Sequence, residues 1–321
     1  MSLPRGIEGN ARTVLEVLSN KTYKLDFYQR EYKWEKPNIT DLLDDLSSQF
    51  IADYDQGHER EAVKGYSNYF LGPIVVCQKR DASYIVDGQQ RLTSLTLLMI
   101  YLNHLLKDDR IDSPTQLLSC LFSESFGKKS FNLDVDERAK CIDSLYNDEP
   151  FDTTDQSESI QNLYNRYQDI RENFPEIIDN DNLLHFIDWL LHKVEMVGIT
   201  AFNDEDAYTI FETMNDRGLS LNPTDMLKSY LLANMNPDVR MRANNLWRNQ
   251  IGELIKIDKA EETNFFKVWL RAKYANSIRE RRRGAQNRDF ENINSYHRWV
   301  RTEQRRLELF KKNNFQEFGN G

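Results

Sequence analysis

The chain has 321 residues, is 40% hydrophobic and 12% aromatic, and carries a formal net charge of −9. This is enough apolar material for one or two packed domains, and the shortage of Gly and Pro favours a mostly helical protein over a sandwich or barrel. From Arg271 onward 13 Lys and Arg face 6 Asp and Glu, whereas the first 270 residues hold 29 against 45, and so acidic a body excludes broad non-specific DNA binding through that part.

In chain order, the pattern predicts a short helix over 11–18 and a strand over 23–27. Ile39, Leu42, Leu43, Leu46 and Phe50 then fall at helical spacing behind Pro37, which predicts an amphipathic helix over 38–50. The polar stretch 53–68 reads as a loop, and 69–78 with 83–86 as a hairpin turning at Lys79-Arg80-Asp81. A strongly apolar helix starts at Gln89 and runs to about Leu106. Beyond it the expected helices are 114–122, 135–146, 157–173 and 182–193, and 195–201 alternates like a strand returning to the sheet. A helix over 204–214 ends at Asn215-Asp216-Arg217-Gly218, where Gly218 suits a C-terminal cap. Asn222-Pro223-Thr224-Asp225 opens the next helix, through Leu232. From Pro237 the chain is helical and charged, with an aromatic seam of Trp247, Phe265, Phe266, Trp269 and Tyr274.

The expected fold class is α+β, a small mixed sheet with helices followed by a mostly α-helical region. The expected divisions are 1–110, 111–235 and 236–321. No apolar run spans a bilayer, since 92–106 is broken by Thr, Ser, Asn and His, so no membrane is expected. Cys77, Cys120 and Cys141 lack metal-ligand spacing, which points to a reducing cytoplasm. The basic tail with Arg279, Arg281, Arg282 and Arg283 reads either as a solvated helix face or hinge, or as a phosphate contact.

Chemistry concentrates in three polar clusters among apolar neighbours. The first is Asp87-Gly88-Gln89-Gln90-Arg91, at the junction of a strand and a core helix. Amides at a helix start have no partner inside the helix, and the helix dipole favours negative charge there. Gly88 lets an anion approach the backbone and Arg91 adds charge, the pattern of a phosphate site. Asp87 suits a magnesium ligand, and Gln89 or Gln90 an attacking water. The second cluster, Phe27 to Trp34, contains Gln29 and Arg30, and the third, Asn215 to Gly218, contains Asn215 and Arg217; converged, Arg30, Arg91 and Arg217 offer bidentate phosphate contacts. The same residues also fit a bare turn, a polar strand end and a helix break.

Taken in order, Tyr28-Gln29-Arg30-Glu31-Tyr32-Lys33-Trp34, Phe70-Leu71-Gly72-Pro73-Ile74-Val75-Val76, Val86-Asp87-Gly88-Gln89-Gln90-Arg91-Leu92-Thr93 and Phe211-Glu212-Thr213-Met214-Asn215-Asp216-Arg217-Gly218-Leu219-Ser220-Leu221 resemble the N-terminal domain of the GmrSD-type restriction endonucleases. The resemblance implies a core similar to ParB and sulfiredoxin. It also implies nucleotide binding and hydrolysis coupled to restriction of modified or foreign DNA in anti-phage defence. By it, Asp87, Gln89, Gln90 and Arg91 are the expected catalytic motif, while Gly88, Arg30, Gln29, Asn215 and Arg217 accompany Arg91 around the nucleotide, with Mg2+ and a nucleoside triphosphate as cofactors. Members with an HNH-like nuclease need a His base and metal-binding neighbours. Here the only histidine after His192 is His297, so the nuclease is expected in a longer chain or a partner subunit. A non-hydrolysing reader of the DNA backbone and a ParB-like nuclease are the competing expectations.

Overall fold

The computed structural model describes residues 7–25, 32–79, 82–125, 128–203 and most of 206–274. By contacts the chain forms two compact units, Met1–Ala207 and Tyr208–Gly321.

The first unit is a mixed sheet with helices. Its strands are β1 (Ile7–Thr13), β2 (Tyr23–Leu25), β3 (Tyr69–Gln78), β4 (Ser83–Asp87) and β7 (Val194–Ala201), in the order β1-β7-β3-β4-β2. β1 runs antiparallel to β7, β7 parallel to β3, β3 antiparallel to β4, and β4 parallel to β2. A second hairpin, β5 (Phe122–Ser125) with β6 (Lys128–Phe131), stands apart from this sheet. The helices are α1 (Val14–Leu18), α2 (Lys36–Asp53), α3 (Gln89–Asp108), α4 (Thr115–Leu121), α5 (Asp136–Tyr146), α6 (Glu158–Asn173) and α7 (Leu183–His192), with a 3-10 turn at Arg60–Gly65.

The hairpin β3–β4, the core helix and the returning strand β7 match the sequence pattern. The N-terminus differs. Where the pattern predicts a helix from residue 11, β1 continues through Thr13 and the helix starts at Val14. Ile7–Thr13 is a polar edge strand held by backbone pairing with β7, so it shows no apolar alternation. Thr13 then caps α1: Glu16 N–H donates to Thr13 Oγ1 at 3.2 Å, and Thr13 N–H donates to Glu16 Oε2 at 2.9 Å. The helix expected to reach residue 122 stops at Leu121, because Phe122 opens β5 and packs its ring 4.5 Å from that of Phe131.

α3 is apolar around most of its circumference, which suits a helix buried on all sides. Leu92, Leu95, Leu97, Leu98, Met99, Ile100, Leu102 and Leu106 are all fully buried. They join Ile74, Ile85, Val194 and Met196 of the sheet in one core with α2, α6 and α7. Each such side chain stabilises the fold by about 1.5–3 kcal/mol. At the far end of this core Phe50 of α2 sits 5.4 Å edge-on to Phe186 of α7.

The second unit holds α8 (Pro223–Ala233), α9 (Pro237–Ile257) and α10 (Glu261–Tyr274). Leu227, Leu231, Trp247, Ile251, Phe266 and Leu270 form its small core, with the Trp247 and Phe266 rings stacked at 5.1 Å. Trp247, Phe265, Phe266 and Trp269 of the aromatic seam read from the sequence are therefore packing, and the Tyr274 side chain lies outside the described residues. Residues 275–321, with the basic tail, lie outside the described residues, as do parts of the expected helix 204–214.

Candidate functional site

β4 ends at Asp87, and α3 begins two residues later. Gly88 makes the turn between them with φ +90 and ψ 2, a left-handed conformation that side chains resist. A Cβ there would lie 3.2 Å from both Ile74 Cα and Pro73 O, so the turn is pressed directly onto β3. The first helical bond runs from Leu92 N–H to Gly88 C=O at 3.0 Å. The amides of Gln89, Gln90 and Arg91 thus precede the helical ladder, and Gly88 has no side chain to cap them.

Arg91 reaches back along this turn. Its Nη1 donates to Pro73 C=O at 2.6 Å, and its guanidinium fills the space beside Gly72. Gly72 has φ +127 and sits at a register shift of β3 against β7, so the bulge opens room for the guanidinium. One of the five N–H donors of Arg91 is thereby used to hold the group at the start of α3.

The two glutamines sit differently. Gln89 is buried, whereas Gln90 is half-buried. Gln90 Oε1 accepts hydrogen bonds from Lys33 N–H at 3.0 Å and Trp34 N–H at 3.2 Å. The described end of the second cluster is therefore brought to the first. Tyr32, fully buried, places its hydroxyl 2.8 Å from Ser94 Oγ, which in turn donates to Gln90 C=O at 3.0 Å. Burial holds the Tyr32 phenol protonated far above its usual range.

Asp87 is half-buried, and among the described residues no hydrogen bond or ion pair engages its carboxylate. Nor do the described residues hold a group of three His, Cys, Asp or Glu side chains arranged as metal ligands. A lone carboxylate fits a magnesium ion shared with substrate phosphates and water, rather than one caged by protein alone.

Gln29, Arg30, Asn215 and Arg217 lie outside the described residues. Two cationic positions near Tyr32–Trp34, Arg138 buried and Arg166 half-buried, escaped sequence reasoning. Arg138 of α5 is 5% exposed, with Nη1 3.5 Å from Thr93 Oγ1 and Cζ 6.0 Å from the Tyr32 ring. Arg166 of α6 pairs with Asp169 at 2.5 Å. Elsewhere, a cleft between the 3-10 turn and α7 carries cations that already have local partners. There Arg60 forms two 2.7 Å bonds to Asp188, and Lys193 Nζ donates to Lys64 C=O at 2.7 Å.

The family profile of the GmrSD restriction endonuclease N-terminal domain matches residues 14–232. The chain belongs to this family. It is accordingly a restriction-system component, and the matched span contains all three polar clusters. No curated protein matches the chain. No helix among the described residues is long and apolar enough to cross a membrane.

Proposed function

We propose that this GmrSD-family chain is the nucleotide-binding and hydrolysing, DNA-sensing module of a modification-dependent restriction system. The observation that supports this most is the Gly88 turn, which packs on Pro73 C=O, the same carbonyl that anchors the guanidinium of Arg91. Fixed positive charge next to helix-start amides suits the oxygens of a phosphate chain. On this reading Arg91 neutralises and orients the phosphates, while Gly88, whose Cβ side is filled by β3, makes the left-handed turn that leads into the first amides of α3. Asp87 holds a magnesium ion, through water or directly, and that ion would offset charge on the phosphate oxygens. Gln29, Arg30, Asn215 and Arg217 are the remaining candidates for phosphate contact, and DNA together with a nuclease domain or subunit are the proposed partners. Hydrolysis then changes how the module engages them.

Turnover of nucleoside triphosphates by the purified chain, with and without magnesium, tests this beside Asp87→Ala and Arg91→Ala. The expected result is magnesium-dependent turnover in the wild type that both substitutions reduce by about 100-fold or more. Equal turnover in the three proteins would remove the site. Calorimetry separates this reading from that of a DNA-backbone reader, which would bind modified DNA with strong salt dependence and no triphosphate.

A further inference from the structure

Backbone outside a helix or sheet must find its hydrogen bonds elsewhere. In Tyr32–Trp34 they go to side chains of two helices. Besides the two bonds from Lys33 and Trp34 to Gln90 of α3, three involve α6. Tyr32 N–H donates to Ser159 Oγ at 3.2 Å, Asn162 Nδ2 donates to Tyr32 C=O at 3.1 Å, and Arg166 Nη1 donates to Trp34 C=O at 3.0 Å. The α6 residues follow a helical stripe, 159, 162 and 166, that continues to Asp169, the carboxylate partner of Arg166. This stripe adjoins the apolar one formed by Ile160, Leu163, Tyr167 and Ile170, which are buried in the core.

We propose that Gln90 works through Oε1 as a clamp on the Lys33–Trp34 backbone, opposed by Ser159, Asn162 and Arg166 of α6, and that these four are positioning residues for the site rather than groups acting on the phosphates. The proposal rests on the nucleotide reading above for its catalytic consequence, but not for the clamp itself. A carbonyl oxygen has two lone pairs, and both are directed to backbone amides here. Turning Oε1 toward a water would strand two N–H groups in a partly buried place. The segment so held begins two residues after Arg30, and the clamp therefore couples the described end of the second polar cluster to the first.

The test compares Gln90→Glu, which keeps an acceptor oxygen, with Gln90→Met, which keeps the length and removes it. Asn162→Leu attacks the clamp from α6. Hydrogen exchange at Lys33 and Trp34 should quicken about tenfold in Gln90→Met and stay within about threefold of wild type in Gln90→Glu. In triphosphate turnover, Gln90→Met and Asn162→Leu should lower kcat by about tenfold. Gln90→Glu should keep kcat within about threefold while its added negative charge raises KM. Unchanged exchange in Gln90→Met would overturn the clamp. So would a Gln90→Glu enzyme as slow as Gln90→Met whose amides stay protected, because that result would place the Gln90 amide on the substrate. If the wild type turns over no triphosphate, the nucleotide reading falls and exchange alone decides the clamp.

Discussion

The guanidinium of Arg91 occupies the space that a side chain at Gly72 would need: a Cβ built there would fall 3.0 Å from Arg91 Cζ and 3.1 Å from Nε. Gly72 also has φ +127, so alanine meets both a backbone penalty and a displaced arginine. Gly72→Ala is expected to cost about 1–3 kcal/mol in urea unfolding. Combining it with Arg91→Ala should relieve the steric share and leave the backbone share. The double substitution should therefore destabilise less than the sum of the singles, by about 1 kcal/mol.

Gly88→Ala is expected to be the more damaging change. Its obstacles are backbone atoms of Pro73 and Ile74 at 3.2 Å, which cannot swing aside as a guanidinium can. A loss of about 2–4 kcal/mol follows from the strained φ and the collision together, measured by the urea midpoint at constant slope.

Arg166 and Asp169 form a pair that is 12% and 11% exposed at the side chains. Arg166→Met should cost about 3 kcal/mol, since among the described residues it leaves Asp169 with only the Lys36 ion pair, 3.9 Å away, and takes from Trp34 C=O its Arg166 donor. Asp169→Asn should cost less, because Arg166 keeps its bond to Trp34. Chemical unfolding of the two variants in parallel measures the order, and a reversed order would contradict the geometry.

Alkaline pH should destabilise the first unit. Burial pushes the thiols of Cys120 and Cys141 up to about 12 from 9.0, and Tyr23 up to about 12 from 10.0. These groups stay neutral in the folded chain while their unfolded counterparts ionise. Their contribution is therefore fully present below pH 9 and is lost as pH rises toward 12. Between those limits each group lowers the unfolding free energy by up to about 1.4 kcal/mol per pH unit. Urea unfolding at pH 7.5, 9 and 10.5 should show a flat start and then a fall, whereas stability rising over that range would contradict it.

The elements whose residues advertise their own burial were legible in the sequence. α3 and the β3–β4 hairpin are apolar runs bounded by turn residues, and the Asp87–Arg91 junction followed from them. β1 was hidden because its pairing with β7 is made by the backbone while its side chains are mostly polar. The polar stripe of α6 looks like a solvated face in one dimension, yet Ser159 and Asp169 are buried. The tie from Gln90 to Lys33 and Trp34 joins positions 57 and 56 apart, a distance no local pattern reveals. What Gln90 and Arg91 touch depends on residues 32–34 and on β3, which come together only in the finished fold.

β7 carries a consequence for how the protein is made. It lies between β1 and β3, yet it begins at Val194, far behind both in the chain. A ribosome delivers β1, the β3–β4 hairpin and the seven helices α1 to α7 before the one piece that can join them exists. Until then β1 has nothing to pair with and one side of β3 stays open to unwanted partners. A chain cut short before Val194 would leave β1 unpaired and that edge of β3 bare, a surface prone to sticking.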